Sequence, residues 1–390
     1  MNSTQIHITF KAVINYLNEG KIKNALDNSA VLVAELQNGL YTDLLTDLNT
    51  NYRLLLEYYV AGANDPQRKI MYNKLIARIY CLISELREEL LLRNSTNFEY
   101  TQKRFFPFRR LFDTANELFD SLNYYHTQMN LKENFLYSDK IAMEKLRKNF
   151  EINLSELFSL FWVTTQFNQS EKDVFKRLME KSYPGILEKS LIVSALTLNL
   201  WRMFDEQKLM MLFDCIENIS VQVSQRAMVG LCFVLARHNR FLQYFPSVRN
   251  RLVLLADNQH YQENFRNIII QIIATLETDK ISKKLREEIL PEIMKISPAL
   301  KDKLEAEKLI KSDEWDEQNP EWQDILEESG VYDKIKELTD LQLEGADVYM
   351  STFSMLKSFA FFNEISHWFL PFVSKFTDVN QLFIDAENSI

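Results

Sequence analysis

The sequence predicts an all-α fold in which helix pairs stack into an irregular α-solenoid. Two observations carry this. The 390 residues hold only 7 Gly and 8 Pro, well below usual usage, and a β-sandwich or doubly wound domain of this length needs many more turn glycines. Residues 188–276 then read as consecutive amphipathic helices with a recurring small residue. One runs Ser190-Leu-Ile-Val-Ser-Ala195-Leu-Thr-Leu-Asn-Leu200-Trp, and the next runs Val223-Ser-Gln-Arg-Ala227-Met-Val-Gly230-Leu-Cys-Phe-Val-Leu235. Aligning Ala195 with Ala227 puts apolar residues on the same helical phases. A helix pair cannot bury its apolar face alone, so such self-similarity marks stacking.

The chain in order supports this class. Over 8–38, Phe10, Val13, Ile14 and Leu17 form a stripe that Gly20 ends, and Leu26, Val33 and Leu36 face inward from a second helix. Longer helices follow over 41–61 and 65–93, the latter opened by Asp65-Pro66, a capped start with proline at the first turn. Its stripe is wide: Ile76, Ile79, Tyr80, Ile83, Leu86 and Leu90. Asn94-Ser-Thr-Asn breaks it. Helices are expected over 111–125 and 138–167, with Leu154, Leu157, Phe158 and Phe161 inward, and Ser170-Glu-Lys-Asp173 has the pattern of a capping box. Tyr183-Pro184-Gly185 is a break. Asp205 caps a helix to Asn218 striped by Leu209, Leu212, Phe213 and Ile216, and a further helix covers 265–276.

Ala227 and Gly230 lie three apart on one helix face. Gly inside a helix costs about 1 kcal/mol against Ala, so a close helix approach is expected there. This pattern resembles HEAT-type repeats, helix pairs with a small residue at a tight crossing. Near the N-terminus, Tyr16, Gly20 and Ala25 resemble the centre of a tetratricopeptide (TPR) repeat, departing at Ser29 where that family places an aromatic. It is one degenerate TPR-like pair, without a clear second copy. The stretch from Asp347-Val-Tyr-Met to His367-Trp-Phe-Leu-Pro-Phe372 is similar to a segment of large bacterial, Bacteroidetes-type helical-repeat proteins labelled tetratricopeptide-repeat proteins. That resemblance implies partner binding and no defined chemistry.

The expected organisation is an N-terminal helical region over 1–182, HEAT-like repeats over 183–300, an acidic linker with a helix over 301–348, and an aromatic-rich helical cap over 349–390. Residues 301–347 hold sixteen acids, six Lys and no Arg. The tail holds Phe353, Phe359, Phe361, Phe362, Trp368, Phe369, Phe372 and Phe376. So apolar a stretch needs a partner surface: its own solenoid, a second subunit in a homo-oligomer, or further chain.

The net charge of −9 argues against nucleic-acid binding over the whole surface. Cys81, Cys215 and Cys232 show no CxxC spacing and read as buried free thiols of a reducing compartment. The opening Met-Asn-Ser-Thr-Gln-Ile-His lacks signal-peptide character, and no stretch approaches 18 uncharged apolar residues. A cytoplasmic protein without membrane association is expected.

No His-Glu-x-x-His, phosphate-cradling glycine loop or G-x-S-x-G occurs. Glu364-x-x-His367 has the spacing of half a ferritin-like metal site, but the near-match Asp257-x-x-His260 does not complete it. His367 reads as an interfacial residue among aromatics, and neither metal nor cofactor is expected. Two basic features remain. Lys103-Arg104-Phe-Phe-Pro-Phe-Arg109-Arg110 could grip phosphates and stack bases, or be a loop with buried Phe and solvated cations. Arg226, Arg237, Arg240, Arg249, Arg251 and Arg266 share residues 221–270 with only two acids, Asp257 and Glu263. Gathered on one face they form a groove for an acidic peptide or a nucleic-acid backbone; scattered, they are ordinary solvated positions. The function expected is a non-enzymatic scaffold presenting a curved surface to a protein partner. The alternative is a nucleic-acid-binding HEAT-like module; a HEAT-like glycosylase-type enzyme has no residue pattern in its favour.

Overall fold

The structure is a computed structural model that describes residues 1–62, 66–133, 140–180, 185–218, 220–275, 278, 283, 287, 359–371, 376, 377, 379 and 380. Among these residues there are thirteen α-helices and no strand, an all-α fold. The acidic stretch 301–347, the cap signal at Asp65 and most of the aromatic tail lie outside the described residues.

Four helices form the N-terminal layer: α1 (Ser3–Asn18), α2 (Ile22–Leu36), α3 (Gly39–Val60) and α4 (Arg68–Asn94). Asn2 opens α1 through a reciprocal capping box with Gln5. Gly20, at φ +72, makes the turn into α2, a backbone conformation that only glycine adopts without strain. α4 packs against α1, α2 and α3. It is buried around most of its circumference, from Leu75 to Leu91, as expected of a helix enclosed by neighbours. It stops at Asn94, where the Asn-Ser-Thr-Asn signal falls.

Next come α5 (Phe98–Arg109), α6 (Ala115–Glu133), α7 (Lys140–Val163) and α8 (Gln169–Glu180). The 103–110 octamer is the last turns of α5 rather than a loop, with Pro107 inside the helix. α6 begins four residues after the predicted start at 111, and α7 ends four before the predicted 167. The box that opens α8 also sits two residues earlier than predicted. Asn168 Oδ1 accepts from the Glu171 amide at 3.2 Å, and Glu171 Oε2 accepts from the Asn168 amide at 2.8 Å.

Then follow α9 (Ile186–Arg202), α10 (Glu206–Ile216), α11 (Val221–Leu242), α12 (Pro246–Ala256) and α13 (Gln259–Ala274). Asp205 caps α10 through the Lys208 amide, as predicted. α12, a short helix opened by Pro246 at its first turn, is an element beyond those predicted. The packing order is regular. α9 lies between α7 and α11, while α10 packs against α9, α11 and α12. The glycine of α11 marks the closest approach: a Cβ at Gly230 would stand 2.2 Å from Thr197 Oγ1 on α9.

The chain divides into two compact units, one of Met1–Gln262 with Glu364–Ile390 and one of Glu263–Asn363. In the first, the C-terminal segment runs back onto α7. Ser366 and Ser155 share a hydrogen bond of 2.6 Å, the Thr377 amide donates to Glu151, and the Phe369 and Phe158 rings lie 5.6 Å apart. The aromatic tail thus finds part of its partner surface on its own chain. It does so through a short 3-10 turn, Ile365–Phe369, where a helix was expected. In the second unit, α13 from Glu263 onward and the turn Ala360–Asn363 are the regular elements described.

Candidate functional site

Lys103 does not face solvent. It turns inward from α5 and, 8% exposed, sits 2.7 Å from Glu88 of α4, itself 1% exposed. Arg202, closing α9, places Nε 2.6 Å from the same carboxylate, and the Tyr100 hydroxyl donates to it at 3.2 Å. Below this pair, Lys208 of α10 donates to the carbonyls of Thr164 and Thr165 and to Asn199 Oδ1 at 2.7–2.9 Å. Its ammonium also lies 4.1 Å from the centre of the Phe167 ring. The Asn199 amide group caps the end of α7 by donating to the carbonyls of Phe161, Trp162 and Thr164. One polar network therefore pins α4, α5, α7, α9 and α10 together. Burial is the largest influence on Glu88 and opposes its charge, but Arg202 and Lys103 outweigh it and hold the carboxyl below its usual range. Burial pulls Lys208 down to about 7. The charges are compensated within the network, although Arg202 Nε and Nη1 make no hydrogen bond among the described residues, so the network is structural.

Of the remaining octamer side chains, Phe105, Phe108 and Arg109 are outward, and Arg104, Phe106 and Arg110 are half-buried. Phe105 and Phe108 are exposed, and the Arg109 and Arg110 guanidiniums stack over Phe105 and Phe106. Arg104 turns back to donate to the Leu92 carbonyl at 2.8 Å. Lys103 is committed to Glu88 and Arg104 to the backbone, which leaves Arg109 as the octamer's exposed cation.

The arginine set does not share one face. Arg251 is held by Asp214 and, at 3.0 Å, by Glu217. Arg249 is an exposed residue of α12, and Arg266 belongs to α13 in the second unit. Arg237 and Arg240 lie toward the C-terminal end of α11, where Arg237 stacks on Trp201. Arg226 lines a groove between α9 and α11, while Arg237 and Arg240 line a different cavity.

That groove follows α9 and α11 and has a volume of about 610 Å³. One wall is Leu187, Ser190, Ser194, Thr197 and Leu198, spaced along one face of α9. The other is the Gln222, Gln225, Arg226, Val229, Gly230 and Phe233 face of α11, and Phe369 closes one side. Gly230 is what lets the two walls approach. Phe233 is 40% exposed and meets Trp201, also exposed, edge to face at 6.2 Å. Arg226 donates to Ser194 Oγ at 3.0 Å and points at the Phe369 carbonyl at 3.5 Å. It has no carboxylate partner among the described residues, and burial lowers its pKa. Ser190 Oγ is buried with no hydrogen-bond partner among the described residues. The groove thus offers apolar surface, one under-neutralised guanidinium and one unsatisfied hydroxyl.

His238 is a structural histidine. Its Nε2 lies 2.8 Å from the Leu200 carbonyl and its Nδ1 lies 2.7 Å from the Tyr80 hydroxyl, so a neutral ring donates to the first and accepts from the second. Burial is the main cause that lowers its pKa to about 4. An unfolded histidine titrates near 6.5, so between pH 6.5 and 4 the unfolded chain binds the extra proton. Stability therefore falls as pH drops through that window, by on the order of 3 kcal/mol for this residue. Urea titrations at pH 7 and pH 4.5 will show the drop, and His238→Gln will flatten it.

Among the described residues no group of three or more His, Cys, Asp or Glu could hold a metal ion, and no helix is long and apolar enough to cross a membrane. His367 is nearly buried and packs near the Phe376 ring. The cysteines form no disulfide, and burial pushes the Cys81 thiol up to about 12, far from a reactive thiolate. Comparison with family models, curated proteins and solved structures finds no match.

Proposed function

We propose that this chain is a non-enzymatic binding scaffold, in which the helices from α6 to α12 form a HEAT-like array. The α9–α11 groove takes a segment of a protein partner that carries a carboxylate flanked by apolar side chains. The alternation of packing supports the array: α7, α9 and α11 lie side by side, with α10 and α12 adjacent behind them. The observation that carries the binding reading is Arg226. A guanidinium held partly out of water with only a hydroxyl and a carbonyl beside it is an incomplete ion pair. A carboxylate entering the groove completes it as a bidentate pair. Phe233 and Trp201 supply the exposed aromatic anchors on which interface energy concentrates, and a helical segment laid in the groove presents side chains at i, i+3 and i+4 to both walls.

An array of helix-forming peptides, apolar on one face and varied in charge, tests this by fluorescence polarisation with the full chain. Acidic–apolar peptides are expected to bind, basic–apolar ones are not, and Arg226→Ala is expected to weaken the acidic set by about 10-fold or more. Equal affinity for both charge classes would reject the groove as the site.

A further inference from the structure

A second cavity, of about 400 Å³, lies between α1, α4, the end of α9 and the C-terminal turns of α11. Its sixteen lining residues include Lys11, Arg87, Arg202, Arg237 and Arg240, and none is Asp or Glu. Arg202 is neutralised by Glu88 behind the wall. The other four cations form no ion pair with a described residue. In a chain of net charge −9, four unpaired cations around one cavity are a local reversal of field.

The sequence places them together through helical spacing. His7, Phe10, Lys11 and Ile14 fall on one face of α1, and Tyr80, Ser84 and Arg87 on one face of α4. Arg87 is the inner cation. It stacks over Phe10 at 5.1 Å and reaches the Arg202 carbonyl at 3.4 Å, yet its Nε is buried with no hydrogen-bond partner among the described residues. Lys11, Arg237 and Arg240 are exposed at the rim. Phe10, Phe204 and Phe241 make the apolar part of the wall.

We propose that this cavity binds a small metabolite carrying two phosphate groups. The volume lies within the range of about 300–1,000 Å³ usual for small-molecule sites, which also pair apolar walls with a few placed polar groups. Each phosphate monoester carries about −1.5 to −2 at neutral pH, so two of them match the four unpaired cations. Arginine forks suit phosphate oxygens bidentately, while Lys11 acts as a point charge at the mouth. The positive field is already visible at His7, whose pKa is lowered first by burial and then by Arg87, Lys11 and Arg237. This site is separate from the α9–α11 groove, and the two assignments stand or fall independently.

The test is calorimetric titration of the full chain with pyrophosphate and with orthophosphate, followed in parallel by the His7 imidazole resonance. Pyrophosphate is expected to bind at least ~10-fold more tightly than orthophosphate, because a second phosphate engages further charge-assisted bonds. The His7 signal is expected to shift during the same titration. Lys11 and Arg240 are exposed, so the double variant K11Q/R240Q keeps the fold and is expected to weaken pyrophosphate binding by ~10-fold or more. R249Q, an exposed arginine outside the cavity, is expected to leave it unchanged. No pyrophosphate binding, an unmoved His7 signal, an unaffected K11Q/R240Q variant, or an equal loss in R249Q would each overturn the assignment.

Discussion

Replacing Glu88 with glutamine is expected to cost about 3–5 kcal/mol of stability, the usual consequence of removing one partner from a buried ion pair. For a chain of this size that corresponds to a fall in Tm of about 5 °C. Glutamine keeps the shape and removes only the charge. Lys103 and Arg202 are then left buried with no carboxylate, although each sits within 2.7 Å of Glu88 in the native fold. The penalty arises from two desolvated cations, not from the loss of one attractive pair. A second substitution separates these explanations. E88Q/K103M removes one stranded cation and should recover part of the loss, so the two changes are non-additive in a double-mutant cycle. Urea unfolding followed by circular dichroism measures this. A loss below about 1 kcal/mol for E88Q would put these charges in the class of solvated surface pairs and would remove the network as the clamp between α4, α5 and α9.

Gly230→Ala is expected to destabilise the chain by about 1–3 kcal/mol, the usual range for overpacking a close-packed interior. This runs against helix propensity, which favours Ala by about 1 kcal/mol. The added methyl would meet Thr197 Oγ1 at 2.2 Å, with Thr197 Cγ2 and Cβ at 3.1 and 3.2 Å. Turning the threonine does not clear the space, because its Cβ remains close and its hydroxyl is engaged with the Val193 carbonyl at 2.9 Å. α9 and α11 must separate instead. In a Thr197→Ala background the two obstructing γ atoms are gone, so Gly230→Ala should become neutral or stabilising. The same cost in both backgrounds would mean that the two helices already adjust freely at this crossing.

The class of fold was legible because it rests on local signals. Helix breaks at Gly20, at 94–97 and at Gly185, the cap at Asp205 and the small residue at Gly230 each act within a turn or two of chain. Boundaries slipped where two signals competed. Asn168 and Ser170 can both cap a helix, and Asn168 wins because Glu171 stands three residues later to complete the box. α12 was missed because it is only eleven residues long and its apolar stripe is broken by Arg249 and Arg251.

The sites were less legible, for a different reason. Glu88, Lys103, Arg202 and Lys208 look like surface charges in sequence, since charged residues are almost never buried unless paired. The pairing joins Glu88 to Arg202 of a distant helix, and no local pattern announces it. The arginine-rich stretch misled in the opposite way. A run of cations without acids suggested one basic groove, but Arg251 faces Asp214 and Glu217 from the preceding helix. The phosphate-sized cavity takes only Arg237 and Arg240 from that set and draws its other cations from Lys11 and Arg87. Arg226 lines the α9–α11 groove because it shares the face of Gln222, Val229, Gly230 and Phe233.

On the proposed reading, the α9–α11 groove receives a protein segment. Photo-cross-linking from position 233 in the full chain, with the exposed Asn250 of α12 as the control position, tests it most directly. Cross-links are expected from position 233 to a partner segment in which an Asp or Glu lies among apolar residues. Arg226→Ala is expected to remove them, and position 250 is expected to yield none. Equal cross-linking from both positions, a captured segment without an acidic residue, or cross-links that survive Arg226→Ala would contradict it.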